Sequence, residues 1–139
     1  MKFSNKIRYG LQFLLFISVD TETYTDIQRA AISCDISHKF LEAIAVDLKK
    51  KGLLIVKRGA GGGYKLAKKI DKITMADVMR ALGKKDPMKN TPKNEITQQV
   101  VDKILTHTQK QFWDLMEKVS LLDMQKIYYE DSDKIMYYI

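Results

Sequence analysis

Arg58 to Tyr64 reads Arg-Gly-Ala-Gly-Gly-Gly-Tyr, and this stretch holds four of the chain's seven glycines. No helix or regular strand interior tolerates that density, because glycine loses the most backbone freedom on ordering. The residues on either side are different. Leu53 to Val56 is apolar and β-prone, and Tyr64 to Leu66 can pair back on it. The pattern predicts a two-stranded hairpin with a glycine tip, ringed by Lys57, Arg58, Lys65, Lys68 and Lys69. Such a loop can cradle a nucleotide phosphate, or lie as a thin wing against a nucleic-acid backbone. It can also be a mobile hairpin with no task. The P-loop pattern fails, because no Gly-Lys-Ser/Thr ending follows. The dinucleotide fingerprint fails as well, because Tyr64 stands where its third glycine belongs.

The upstream order favours the wing. Ser4 or Asn5 can cap a first helix to about Val19, with Ile7, Leu11, Leu14, Leu15 and Ser18 at helical spacing. Lys6, Arg8 and Tyr9 mark its start, where early helical N–H groups and nearby cations suit a phosphate. Thr25, with Gln28 three residues on, is a capping-box candidate for a short second helix with Ile27, Ala30 and Ala31 inward. Ser33 to Ile36 breaks it. Ser37 caps a third helix to about Lys51, stopped by Gly52, with Phe40, Leu41, Ile44, Ala45 and Leu48 as its buried stripe. Short helix, tight turn, longer helix and hairpin is the order of a winged helix-turn-helix. The first turn of the third helix is then the base-facing segment, with Ser37, His38, Lys39 and Glu42 as candidate readers. An amphipathic helix with a merely solvated polar face is the plainer alternative.

Charge leans the same way. The net is +7, but residues 1–86 carry 17 lysines and arginines against 9 carboxylates, while residues 87–139 carry 7 against 8. The positive excess lies on the half with the hairpin, as for a polyanion-binding module.

Four segments together resemble one family: Ile36-Ser37-x-x-Phe40-Leu41-Glu42; Leu48-x-x-x-Gly52-Leu53; Arg58-Gly59-x-Gly61-Gly62-Gly63-Tyr64-x-Leu66; and Ile73-Thr74-x-Ala76-Asp77-Val78. They look like the Rrf-two family of bacterial winged-helix transcription factors, of the IscR, NsrR and CymR type. The opening Ser4-x-Lys6-x-Arg8-Tyr9 matches the family start. The resemblance is close over the first 83 residues and loose beyond. It implies a mainly α fold with a small β wing, a winged helix-turn-helix followed by a long C-terminal dimerisation helix. It also implies a homodimeric repressor on a double-stranded DNA operator. The DNA-binding residues expected are Ser4, Lys6, Arg8, Tyr9, Ser37, His38, Lys39, Glu42, Arg58, Gly59, Gly61, Gly62, Gly63 and Tyr64.

Beyond the wing, Thr74 caps a fourth helix, Met75 to Leu82, ended by Gly83, with Met75, Val78, Met79 and Leu82 inward. The domain limits expected are 1–83 for DNA binding, 84–95 for a polar linker holding both prolines, and 96–139 for the dimerisation helix and tail. Asn94 or Thr97 opens the long helix, which keeps Ile96, Val100, Ile104, Phe112, Leu115 and Val119 in one stripe, widened by Val101, Leu105 and Met116. Such a stripe needs a covering surface. The chain's own first helix or the same helix of a second chain would serve. The resemblance favours the second, and Trp113 falls near the family's tryptophan. Ser120 can cap a last short helix, Leu121 to Tyr128. The tail beyond it has no reading other than packing on the arm.

Many members of the family carry three cysteines between the fourth helix and the long one, ligating an iron–sulfur cluster. Here Lys84 to Gln99 contains none, and the chain has a single cysteine, Cys34. Cluster ligation needs several thiolates, so no iron–sulfur cofactor is expected. The effector is unassigned: a thiol switch at Cys34, a small molecule, a protein partner and no effector all stay open. Basic neighbours could lower the Cys34 pKa, while a buried, inert turn thiol is the simpler state. One cysteine excludes an internal disulfide. No His-Glu-x-x-His motif, nucleophile elbow or paired-cysteine site is present, which leaves no enzyme reading. His107 has no carboxylate three or four residues away. The apolar run near Leu11–Val19 is broken by Gln12 and Ser18 and lacks a cleavage site, so a cytoplasmic protein with no membrane partner is expected. Two other functions fit the same pattern: a non-specific nucleic-acid-binding winged helix, and a winged-helix module that binds protein.

Overall fold

The computed structural model describes residues 3–84 and 95–137. The elements run α1 (Asn5–Val19), α2 (Ile27–Cys34), α3 (His38–Lys50), β1 (Leu54–Lys57), β2 (Gly63–Leu66), a 3-10 turn (Ile70–Lys72), α4 (Met75–Leu82), α5 (Ile96–Glu117) and α6 (Leu121–Tyr137). The strands pair antiparallel, with Leu54 opposite Leu66 and Lys57 opposite Gly63. Most of the proposed linker, residues 85–94, lies outside the described residues, with both prolines.

The helix starts follow local capping chemistry. Ser4 accepts a hydrogen bond from Ile7 N–H, and Ser37 accepts one from Phe40 N–H. Thr74 and Asp77 form a reciprocal capping box on α4. The second helix departs from expectation. Its cap is Asp26, which accepts from Arg29 N–H. Thr25 is 1% exposed, and it exchanges two backbone hydrogen bonds with Tyr64, at 2.7 and 2.8 Å. A partner almost 40 positions away in the chain therefore claims Thr25, a contact no local pattern contains.

The core gathers Phe13, Leu14, Leu41, Ile44, Leu48, Leu53, Ile73, Val78 and Leu121. The buried stripe of α1 is Ile7, Gly10, Phe13, Leu14 and Ile17; of the predicted Ile7, Leu11, Leu14, Leu15 and Ser18, only Ile7 and Leu14 belong to it. This helix is apolar almost all round, so periodicity does not fix its phase. Leu11 and Leu15 face a groove against α6 instead. Phe40 is 39% exposed, with its ring edge-on to Tyr9 at 5.6 Å, so it leaves the predicted stripe of α3. In α4 the buried residues are Ala76, Val78 and Leu82, with Met75 and Met79 only half-buried.

The C-terminal part differs most from the sequence reading. The long helix starts after Glu95, which makes no side-chain cap bond, and ends at Glu117, short of Val119. Val119 is drawn into a bridge: its carbonyl accepts from Met75 N–H at 2.8 Å, and Leu121 N–H donates to Ile73 carbonyl at 2.8 Å. The last helix continues past Tyr128 to Tyr137. It packs chiefly on α1 rather than on the arm, with Gln125 Nε2 donating to the Ser18 carbonyl at 3.0 Å.

Candidate nucleic-acid interface

The turn between α2 and α3 is set by Asp35, which is left-handed at φ 54°. Ile36 N–H then donates to Ala31 carbonyl. The turn delivers Ser37 to the start of α3, where His38, Lys39 and Glu42 stand exposed together. One relation inside this set was not read from the sequence, although i,i+4 spacing could have shown it. His38 Nδ1 lies 3.6 Å from Glu42 Oε1, a pair that carries charge attraction only when the histidine is protonated.

The N-terminal candidates disperse. The Ser4 hydroxyl is occupied as a cap. Lys6 Nζ donates to Asp47 Oδ2 at 2.7 Å, tying α1 to the far end of α3. Tyr9 packs on Phe40. Arg8 faces the groove shared with Leu11, Met124 and Tyr128. Lys6 and Tyr9 thus turn toward α3, and Arg8 toward α6.

The wing is held by a lock behind it. Asp20, whose side chain is 4% exposed, accepts from Arg29 Nη1 and Nη2 at 3.1 and 2.5 Å and from Thr25 Oγ1 at 2.6 Å. The Arg29 guanidinium is the main reason its carboxyl is lowered to about 2; burial opposes this and the Thr25 hydroxyl assists it. Arg29 also lies over the Phe16 ring at 5.5 Å. This cluster was missed, because Asp20 reads as an ordinary turn residue and its partners come from another element.

Thr25 in turn grips β2. Gly63 sits at φ 145°, and a Cβ there would stand 2.2 Å from the Thr25 carbonyl oxygen. Only glycine allows that approach. The Tyr64 ring turns inward, 5.9 Å from Phe13. Burial raises its pKa, with a smaller contribution from the charge of Glu42. Tyr64 thus fixes the wing to the core beside the recognition helix. Arg58, Gly59 and Gly61 remain exposed at the tip, and Gly62 is half-buried. Gly62 N–H closes the tip by donating to Gly59 carbonyl.

Cys34 ends α2 half-buried. Burial pushes its thiol up, opposite to the lowering that basic neighbours would give.

On the arm, Ile96 is 74% and Ile104 61% exposed, and Val100 and Leu115 are exposed as well. Phe112 and Val119 are half-buried. The C-terminal end of α5 is stapled to α4: Arg80 pairs with Glu117 and lies 5.2 Å from the Trp113 ring centre.

A family model covers residues 3–127: Rrf2, described as an iron-dependent transcriptional regulator. The chain belongs to the Rrf2 family. The HTH-type transcriptional regulator CymR of Bacillus subtilis is 36% identical over 83 residues, covering 59% of this chain and 60% of that protein. IscR of Cereibacter sphaeroides is 35% identical over 85 residues, covering 59% and 55%. The chain thus spans less than two thirds of the length of these curated relatives. Among solved structures, CymR, the global cysteine regulator of B. subtilis, superposes with a TM-score of 0.71 at 27% identity, covering 91% of this chain and 98% of that one. IscR of T. potens gives 0.69 at 26%, covering 94% and 90%. The winged-helix architecture with long C-terminal helices is therefore that of the family, and Rrf2 proteins are regulators, not enzymes.

The iron in the family description does not fit this donor set. The whole sequence offers one thiol, and the described residues contain no group of three or more His, Cys, Asp or Glu able to hold a metal. Nor is any helix among the described residues long and apolar enough to cross a membrane.

Proposed function

We propose that this Rrf2-family protein is a cytoplasmic, sequence-specific transcriptional repressor that binds a DNA operator as a homodimer and uses no iron–sulfur cluster. Residues 1–83 form the DNA-binding domain, 84–95 the linker, and 96–139 the dimerisation helix and tail. The observation that carries the reading is the exposed Ser37–Glu42 turn beside a glycine wing latched through Thr25 and Tyr64. In this geometry Lys39 and Glu42 meet base edges, with Ser37 and His38 alongside. Arg58 reaches a minor groove or a phosphate, while Gly59, Gly61 and Gly62 let the duplex backbone come close. Lys6 and Tyr9 support α3, and Ser4 shapes the start of α1. The exposed stripe Ile96, Val100, Ile104 and Leu115 is covered by the same helix of a second chain, with Phe112 and Val119 at its C-terminal end. Two-fold symmetry then sets two recognition helices on a pseudo-palindrome.

Selection from a random duplex pool, followed by footprinting, tests this. A sequence-specific dimer returns one palindromic site and protects it, and reduced transcription from a promoter carrying that site would mark it as a repressor. Equal protection of any duplex would favour the non-specific winged helix, and no duplex binding would favour a protein-binding module. Iron and sulfide assays on an anaerobic preparation are expected to find neither in stoichiometric amount.

A further inference from the structure

We propose that Tyr24, Lys57 and Lys65 form a clamp for a nucleic-acid phosphodiester at the root of the wing, apart from the recognition helix. The proposal rests on the duplex-binding reading above and adds a contact that none of its candidate residues supplies.

Strand alternation separates the two faces of the hairpin. Tyr64 and Leu66 pack toward the core, so Ile55, Lys57 and Lys65 lie on the outer face. The bridge between Thr25 and Tyr64 adds the α1–α2 loop as a short third edge. Thr25 turns inward to Asp20, and its neighbour Tyr24 turns outward over the two lysines. Lys57 Nζ lies 5.4 Å and Lys65 Nζ 5.3 Å from the Tyr24 ring centre. Gly63, opposite Lys57 in the register, has no side chain to occupy that space.

One aromatic ring therefore has two ammonium groups beside it, and an anion at the same place would be attracted by both. Among the described residues neither lysine forms an ion pair. The nearby carboxylates are otherwise arranged: Asp20 is taken by Arg29 and Thr25, and Asp26 caps α2. Glu22 and Asp26 also line the adjoining cleft of about 620 Å³, but they lie outside ion-pair reach of both lysines. Gly59, Gly61 and Gly62 form another wall of the cleft, leaving a sugar–phosphate chain room to approach. Two cations beside the ring attract an anion more strongly than a neutral base. That selects a phosphodiester over a base, and makes the contact independent of sequence.

The test compares wild type, the double variant Lys57→Gln/Lys65→Gln, Tyr24→Ala and Tyr24→Phe, with circular dichroism melts to check folding. Affinity is measured against salt on a duplex selected by the wild-type protein and on an unselected duplex of equal length. The double variant should make the log–log salt slope shallower by about two on both duplexes. Tyr24→Ala should lose part of that slope and Tyr24→Phe should keep most of it. A folded double variant with the wild-type slope overturns the clamp. Failure of the wild type to select any site would refute sequence-specific regulation alone, because the clamp is still read on the unselected duplex. A wild type that binds no duplex would refute both.

Discussion

The wing and the arm treat their exposed surface in opposite ways. Behind the wing, polar groups are mutually satisfied within one chain: Asp20 with Arg29 and Thr25, and Thr25 with the Tyr64 backbone, while the Tyr64 ring packs edge-on against Phe13. What stays exposed there is mostly polar or glycine, with Ile55 the one large apolar side chain of the hairpin left open. Along α5, Ile96, Val100, Val101, Ile104, Leu105 and Leu115 are all exposed apolar residues, and the described chain covers none of them. The hairpin is thus ordered by contacts within one chain, while the apolar stripe of the arm stays open, as a surface awaiting a cover would.

The sharpest way to break that contrast is Ile104→Glu. A charge in the stripe should convert the dimer to a monomer in sedimentation. Duplex affinity should then fall by about 10²-fold or more, as avidity is lost, while the melting of the winged-helix part changes little. A dimer that persists would show that α5 is not the interface.

Gly63→Val attacks the other side. The valine Cβ would collide with the Thr25 carbonyl at a left-handed φ, costing about 1–3 kcal/mol in backbone strain alone. Denaturant unfolding should report the loss, and duplex binding should weaken with the dimer intact.

Within the reading surface, Glu42→Ala and Arg58→Ala should separate. Replacing Glu42 should change the preferred base, with about 1–3 kcal/mol at stake. Replacing Arg58 should weaken binding on many sequences alike. Selection on random duplexes distinguishes the two, and an unchanged site for Glu42→Ala would remove it as a base reader.

Asp20 gives the lock an acid limb. Its folded pKa, about 2, lies below the ordinary 3.8, so its contribution is fully present above pH ~4 and is lost as pH falls toward ~2. The amount is about 1–2 kcal/mol, reduced because Arg29 is half-exposed to solvent. Asp20→Asn should lower stability at pH 7 and flatten that limb in urea titrations from pH 7 to 2. The smallest effect belongs to Cys34→Ser. With the thiol half-buried and its pKa raised, peroxide should alter gel-shift affinity little in wild type. A strong response abolished by this substitution would instead establish a thiol switch.

Local chemistry was enough to place most of the elements. The caps at Ser4, Ser37 and Thr74, the stop at Gly52 and the glycine hairpin are each decided within a few residues, so the sequence determined the element order, the winged helix-turn-helix and its family. It also showed that thiolates for a cluster are lacking, because that is a matter of composition. Tertiary structure alone decided which face of an all-round apolar α1 is buried, and that Thr25 bridges Tyr64 instead of capping α2. It alone joined Asp20 to Arg29, stopped α5 at Glu117 through the Val119 bridge, and laid α6 along α1. Each of these outcomes rests on a partner from another element, competing with a local preference and prevailing because that contact buries a group or satisfies a polar atom that the local one leaves exposed.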